Sequence, residues 1–209
     1  MLIPHVNIIF LPLTNSYVIG TLLKCISSEL VGVDIAEYMI EKARNKHCYD
    51  TLVVADASTF LQSLENSSVD LIVASDVFIY IGALDEIFKA CQYALKTAAS
   101  LIFTIEELEL LLPESRDGGD RTKYVADVEH INDSRPENIA SGPRHINDAN
   151  DASQQNISPV DHAVGYWLMP CGRFGHSVEY IDKLAEAYSF KVVLKERGIL
   201  RTQVSSVLT

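Results

Sequence analysis

The chain predicts an α/β domain, doubly wound around a mostly parallel sheet whose last strand is antiparallel. Three observations lead there. Short, nearly unbroken apolar segments alternate with amphipathic ones of helical period, the pattern of strands buried on both faces and crossed over by helices. Three of the apolar segments stop at an aspartate, Asp34, Asp56 and Asp76. The 209 residues, 48% hydrophobic and 22% charged, suit a single globular domain with a sizeable core.

The elements follow in order. Residues 7–13 (NIIFLPL) are an apolar run and read as a first core strand, and 18–26 as a helix. Residues 29–34 (ELVGVD) read as a buried strand ending in an acid. Residues 36–46 form a helix whose Lys42, Arg44 and Lys46 suit the negative end of its dipole. A strand at 51–55 runs to Asp56, a short helix follows near 59–64, and a third strand at 69–75 runs to Asp76. Residues 83–96 carry the clearest helical stripe, with Leu84, Ile87, Phe88, Cys91 and Leu95 on one face. Residues 99–105 return to strand. Residues 177–188 form a helix with Ser177 as N-cap, and strands at 190–195 and 203–208 close the chain.

This core is expected in two parts, 1–112 and 164–209, separated by a low-complexity, disordered insertion at 113–163. That stretch is rich in Asp, Asn, Ser, Gly and Pro, holds 10 acidic and 5 basic residues, and has too few large apolar side chains to offset the entropy of ordering. The tetrapeptide at 130–133 (HIND) recurs at 145–148, but stacked repeats need at least three units to bury a shared face. Its histidines, His130, His145 and His162, lack metal-ligand spacing, so no metal is expected.

Lys plus Arg number 17 against 28 for Asp plus Glu, a formal charge of −11, which repels phosphate backbones and anionic lipid. A small-molecule or protein partner is expected, with neither nucleic acid nor membrane. Cys25, Cys48, Cys91 and Cys171 lie far apart with no CxxC spacing, as for reduced, mostly buried thiols in a cytoplasmic protein. No apolar stretch reaches the ~18 residues that span a bilayer. The N-terminus has no Lys or Arg before its apolar run, which argues against a signal peptide.

Ligands of doubly wound sheets bind outside the carboxyl ends of the strands, at the point where strand order reverses. Each strand-end acid taken alone is a helix cap or loop acid; three on one rim point to a site. An acid closing the second strand can accept both hydroxyls of a ribose, which suits Asp34. An acid closing the third, followed by the small Ala57 and Ser58, can accept from an adenine amino group, which suits Asp56.

The run from Val31 to Arg44 (VGVDIAEYMIEKAR) resembles the second-strand motif of class I, Rossmann-like S-adenosylmethionine-dependent methyltransferases. The words at 49–56 and 70–82 (DLIVASDVFIYIG) resemble a branch of predicted methyltransferases often joined to tetratricopeptide repeats. Gly172-Arg173-Phe174-Gly175-His176-Ser177, running on to Tyr180-Ile181, is similar to a later segment of that branch. The resemblance spans 30–110 and, less closely, 165–200. It implies S-adenosylmethionine as cofactor, with Asp34 on the ribose, Ile35 packing on the adenosine, Asp56 and Ala57 facing the adenine, and Ser75, Asp76 and Val77 near the methionine and the methyl group.

The family's first strand runs into a glycine-rich turn that lets the backbone approach the cofactor. Residues 11–20 (LPLTNSYVIG) keep only Gly20, aligned within the following helix, and Tyr17 takes a place where a side chain would enter the cofactor's volume. Two explanations are open: a degenerate loop with weak or lost binding, or an aberrant gene model over the first ~17 residues. The implied chemistry is in-line methyl transfer to an unidentified acceptor. Asp76, Tyr80 and His176 are candidate bases, Tyr166 and Trp167 candidate lid residues, and Arg173 pairs with an acidic substrate or a strand-end acid. The rivals are a catalytically inactive binding protein of the same fold and, third, a nicotinamide-dependent oxidoreductase.

Overall fold

The computed structural model describes residues 6–11, 17–108, 121–128 and 165–198. Among these residues nine strands form one sheet. Seven lie along the path β3(Thr51–Val54), β2(Glu29–Asp34), β1(Asn7–Leu11), β4(Val69–Ala74), β5(Leu95–Glu107), β6(Arg121–Val128) and β9(Phe190–Gly198). The first five are parallel. A short hairpin, β7(Tyr166–Leu168) and β8(Phe174–His176), extends the sheet through β8, which runs parallel to the end of β5. The doubly wound, mostly parallel, Rossmann-like architecture follows from strand order and direction alone.

The central strand shows why the pattern was so plainly apolar. Ile8, Ile9, Phe10 and Leu11 are all buried, two on each face. Ile9 and Leu11 join Ile72, Ala74, Leu101 and Phe103 in the larger core, beneath α3(Ala57–Ser63), α4(Asp85–Ala94) and α5(Val178–Ala187). Ile8 and Phe10 join Leu30, Ile40 and Ala43 in the smaller, beneath α1(Tyr17–Ile26) and α2(Glu37–Arg44). The stripe Leu84, Ile87, Phe88, Cys91 and Leu95 is at most 2% exposed. Phe88 stands among Phe78, Phe103 and Phe190, with centroids 6.1, 5.6 and 5.8 Å away.

Gly20 lies within α1 and not in a loop. A Cβ there would meet the Tyr49 hydroxyl at 2.8 Å and Cys48 Sγ at 3.1 Å, so this glycine is where α1 closes on the chain before β3.

The structure departs from the sequence reading in several places. Residues 121–128, expected inside the disordered insertion, form β6, hydrogen-bonded between β5 and β9. Thr, Tyr and Val favour a pleated strand, and the polar composition around them diluted that signal. β6 is also the antiparallel strand of the seven-strand path; β9 is antiparallel to β6 and so runs with β1–β5. The expected closing strand at 203–208 lies outside the described residues, as do 12–13, the rest of the insertion with its three histidines, and the Tyr17 side chain. β5 starts at Leu95 rather than near 99, with a register shift against β4 and a positive φ at Ala98. Finally, the four cysteines are free, but only Cys48 and Cys91 are buried.

Candidate cofactor site

Because β1–β4 are parallel, the residues that follow them gather on one edge of the sheet. The chain steps outward from β1 through β2 to β3, then returns to the far side of β1 as β4, so strand order reverses between β1 and β4. Asp34 and the segments around Asp56 and Asp76 therefore share the edge where this fold class holds ligands.

Asp34 is the last residue of β2, in register with Val54 and only 7% exposed. Its Oδ1 accepts from Ala36 N at 2.8 Å, which fixes the carboxylate against the start of α2. Next to this buried acid, Ile35 is 74% exposed, with Tyr38 and Val54 also open to solvent. An anchored carboxylate beside an uncovered aliphatic side chain suits a ligand with hydroxyls on one side and a flat apolar face on the other.

Asp56 caps α3: its Oδ1 accepts from Thr59 N at 2.9 Å and from Thr59 Oγ1 at 3.0 Å. Ala57 is the first residue of that helix and packs on the large core. Beyond β4, Ser75 N donates to Leu11 O at 3.0 Å and prolongs the β1–β4 ladder by one step. Asp76 has φ 63, a left-handed conformation that aspartate tolerates better than most residues. Its N–H donates to Thr104 Oγ1 at 3.0 Å, tying the turn to β5. Val77 is half-buried against the core, and Tyr80, in a single 3-10 turn over Phe78–Tyr80, is 61% exposed.

His176 differs from the other candidates. It lies on β8 at the same end of the sheet, but the residue is fully buried. Its Nε2 is 3.0 Å from both the Ile81 and the Gly82 carbonyl oxygens, and burial holds its pKa below the usual histidine value. A base needs access to the acceptor's proton, and this imidazole has none in the structure. Trp167 is 38% exposed on β7, and Tyr166 turns inward onto His176 and Tyr180.

Arg173 resolves as the partner of a strand-end acid: its Nη1 lies 3.5 Å from Oε2 of Glu106, at the carboxyl end of β5. Neither Glu106 nor Thr104 was singled out in the sequence, although Glu106 follows an apolar strand just as the three aspartates do. A surface depression of about 290 Å³, lined by Arg44, His47, Tyr49 and Asp50 among others, opens at the opposite edge, where β3 begins. It takes no part in this arrangement.

The donor set fits a nucleoside cofactor: an anchored carboxylate for hydroxyls, an exposed aliphatic side chain for the ring, and a second carboxylate one strand away. Residues 16–103 match the family described as a methyltransferase domain. No curated protein matches the chain. Among solved structures, it is similar to a protein from Pyrococcus horikoshii OT3 (26% identity, 58% of this chain and 62% of that one, TM-score 0.45). It is also similar to S-adenosylmethionine-dependent methyltransferases from Mesorhizobium loti (23% identity, 50% and 48% of the chains, TM-score 0.42) and Archaeoglobus fulgidus (19% identity, 50% and 46%, TM-score 0.42). The chain spans about half the length of the first solved structures it resembles, 49%, 46% and 48% of them. Over residues 16–103 it is thus matched as a methyltransferase domain.

Proposed function

We propose that this protein is an S-adenosylmethionine-dependent methyltransferase acting on a small-molecule or protein acceptor. The observation that carries the reading is Asp34, buried and anchored at the end of β2 beside the exposed Ile35, inside the segment matched as a methyltransferase domain. Asp34 would hold the ribose hydroxyls, Ile35 the adenosine face, and Asp56 with Ala57 the adenine edge. Ser75, Asp76 and Val77 would lie along the methionine portion. When bound, the cofactor supplies a sulfonium-activated methyl group, so the protein's task is to position, to exclude water and, for a protonated nucleophile, to take a proton. Asp76 and Tyr80, following β4, are the groups available for that last step; His176 is a positioning residue.

Free cysteines support a cytoplasmic setting, and the words at 172–181 support kinship with the branch associated with tetratricopeptide repeats. Among the described residues no helix is long and apolar enough to cross a membrane. A second reading, an inactive binding protein of the same fold, is favoured by one observation: the stretch after β1 has no glycine before Gly20, which is helical. Titration calorimetry of the full chain with S-adenosylmethionine separates the two. Micromolar binding that weakens in Asp34→Ala supports the enzyme; no heat at high micromolar ligand supports the binding protein.

A further inference from the structure

Three residues of the segment 172–180, Phe174, His176 and Tyr180, bear on the stretch that follows β4. Gly172, with φ 78, makes the turn between β7 and β8. Phe174 and Tyr166 close on Gly82 so tightly that a Cβ there would sit 2.9 Å from each ring. His176 offers its Nε2–H between the Ile81 and Gly82 carbonyl oxygens, 3.0 Å from both. Both neighbours being acceptors, the proton must reside on Nε2; Nδ1 is buried with no hydrogen-bond partner among the described residues.

Ser177 Oγ accepts from Tyr180 N at 3.2 Å and starts α5. That places the Tyr180 ring in a stack on His176, 6.1 Å between centroids and 13° from parallel. The Tyr180 hydroxyl accepts from Leu84 N at 2.8 Å and donates to Asp85 Oδ2 at 3.2 Å. Gly165 (φ 76) is needed beneath it, because a Cβ there would lie 2.5 Å from Tyr180 Cβ.

We propose that His176 and Tyr180 are positioning residues of a clamp. It fixes residues 81–85 and, through the 3-10 turn at Phe78–Tyr80, the placement of Asp76, Val77 and Tyr80. The stretch between β4 and α4 is thereby held at both ends: Thr104 takes the Asp76 N–H at one, and the clamp takes Ile81, Gly82 and Leu84 at the other. The clamp stands on the contacts alone; its purpose rests on the methyltransferase reading. His176 works as a neutral donor. Around its ring are Tyr166 on β7, Tyr180 on α5, Glu107 beside it on β5 and paired with Arg197, and Asp85 on α4 beyond the Tyr180 hydroxyl. A second proton would fall on the unpartnered Nδ1, so acid loosens the clamp.

Hydrogen exchange on the full chain tests this. In His176→Leu and Tyr180→Phe the amides of 78–85 should exchange roughly tenfold faster, with β1 and β2 unchanged. His176→Gln, which keeps an N–H near the Nε2 position, should restore protection. Between pH 7 and 5, corrected for intrinsic chemistry, wild-type exchange in 78–85 should accelerate and that of His176→Gln should not. S-adenosylmethionine should bind several-fold more weakly to His176→Leu and Tyr180→Phe and return towards wild type in His176→Gln. Unchanged exchange in 78–85 overturns the clamp, and faster exchange with unchanged cofactor affinity overturns its positioning role. If His176→Leu loses protection everywhere, Tyr180→Phe and the pH comparison carry the test. A wild-type chain that binds no S-adenosylmethionine ends the methyltransferase reading and leaves the exchange test standing.

Discussion

The two sides of the candidate edge satisfy their polar groups in opposite ways. After β2 and β3 the partners are local: Asp34 accepts from Ala36 and Asp56 from Thr59, two and three residues away. After β4, beyond the local 3-10 turn, they are remote: Leu84 N is met by Tyr180, and the Gly82 carbonyl by His176, 96 and 94 residues along the chain. One side can form as soon as a strand turns into a helix. The other exists only once β7, β8 and α5 have docked. A candidate edge built by local rules thus adjoins a loop whose shape depends on closure of the whole domain.

The harshest way to break the comparison is to remove the core on which the remote side rests. Phe88 packs against Phe78 from the segment after β4, Phe103 on β5, Tyr188 beyond α5 and Phe190 on β9. Phe88→Ala should cost about 3–5 kcal/mol in denaturant unfolding. A loss under about 1 kcal/mol would mean that these rings are not packed as described.

A change confined to the local side should act on ligand more than on fold. Asp34→Ala should weaken S-adenosylmethionine by roughly 10- to 100-fold in calorimetry, the range for losing charge-assisted hydrogen bonds. Asp56→Ala removes the α3 cap as well and should cost about 1 kcal/mol of stability. An Asp34→Ala protein that binds as tightly as wild type would detach the ligand from this edge.

Acid sharpens the contrast. Burial holds the His176 pKa below its unfolded value, so above about pH 6.5 the group is neutral in both states and its contribution is intact. As pH falls further the unfolded chain takes the proton first, and stability drops. Urea midpoints measured from pH 7 to 5 should fall more steeply for wild type than for His176→Gln. Asp50, held below the usual carboxylate range chiefly by its hydrogen bond from Lys24, loses its contribution only at lower pH, under about 4. The smallest effect belongs to the surface. Lys24→Ala breaks a half-exposed pair with Asp50 and should cost under about 1 kcal/mol, most visible at low salt.

The three strand-end aspartates were legible because a buried parallel strand shows its length as an unbroken apolar run, and the next residue is by necessity at the edge. The α4 stripe was legible for the same reason, being a periodicity imposed by one buried face. β7 and β8, three residues each, are too short to show a period. β6 sits among residues whose composition masks it. Glu106 lies at the end of an apolar strand much as Asp76 follows one, so the same signal marks it. The aspartate following Val33 also served as a residue whose meaning depends little on distant chain, whereas His176 looked like a base because imidazoles often are.

The mostly parallel class of the sheet, its two-faced core and the acids at the strand ends were thus settled by residue type and spacing, since hydrophobic periodicity and local hydrogen bonding act over a few residues. Whether an imidazole faces solvent or the core, and which carbonyls it meets, was settled only by the docking of segments some ninety residues apart, because burial is a property of neighbours that sequence order does not name.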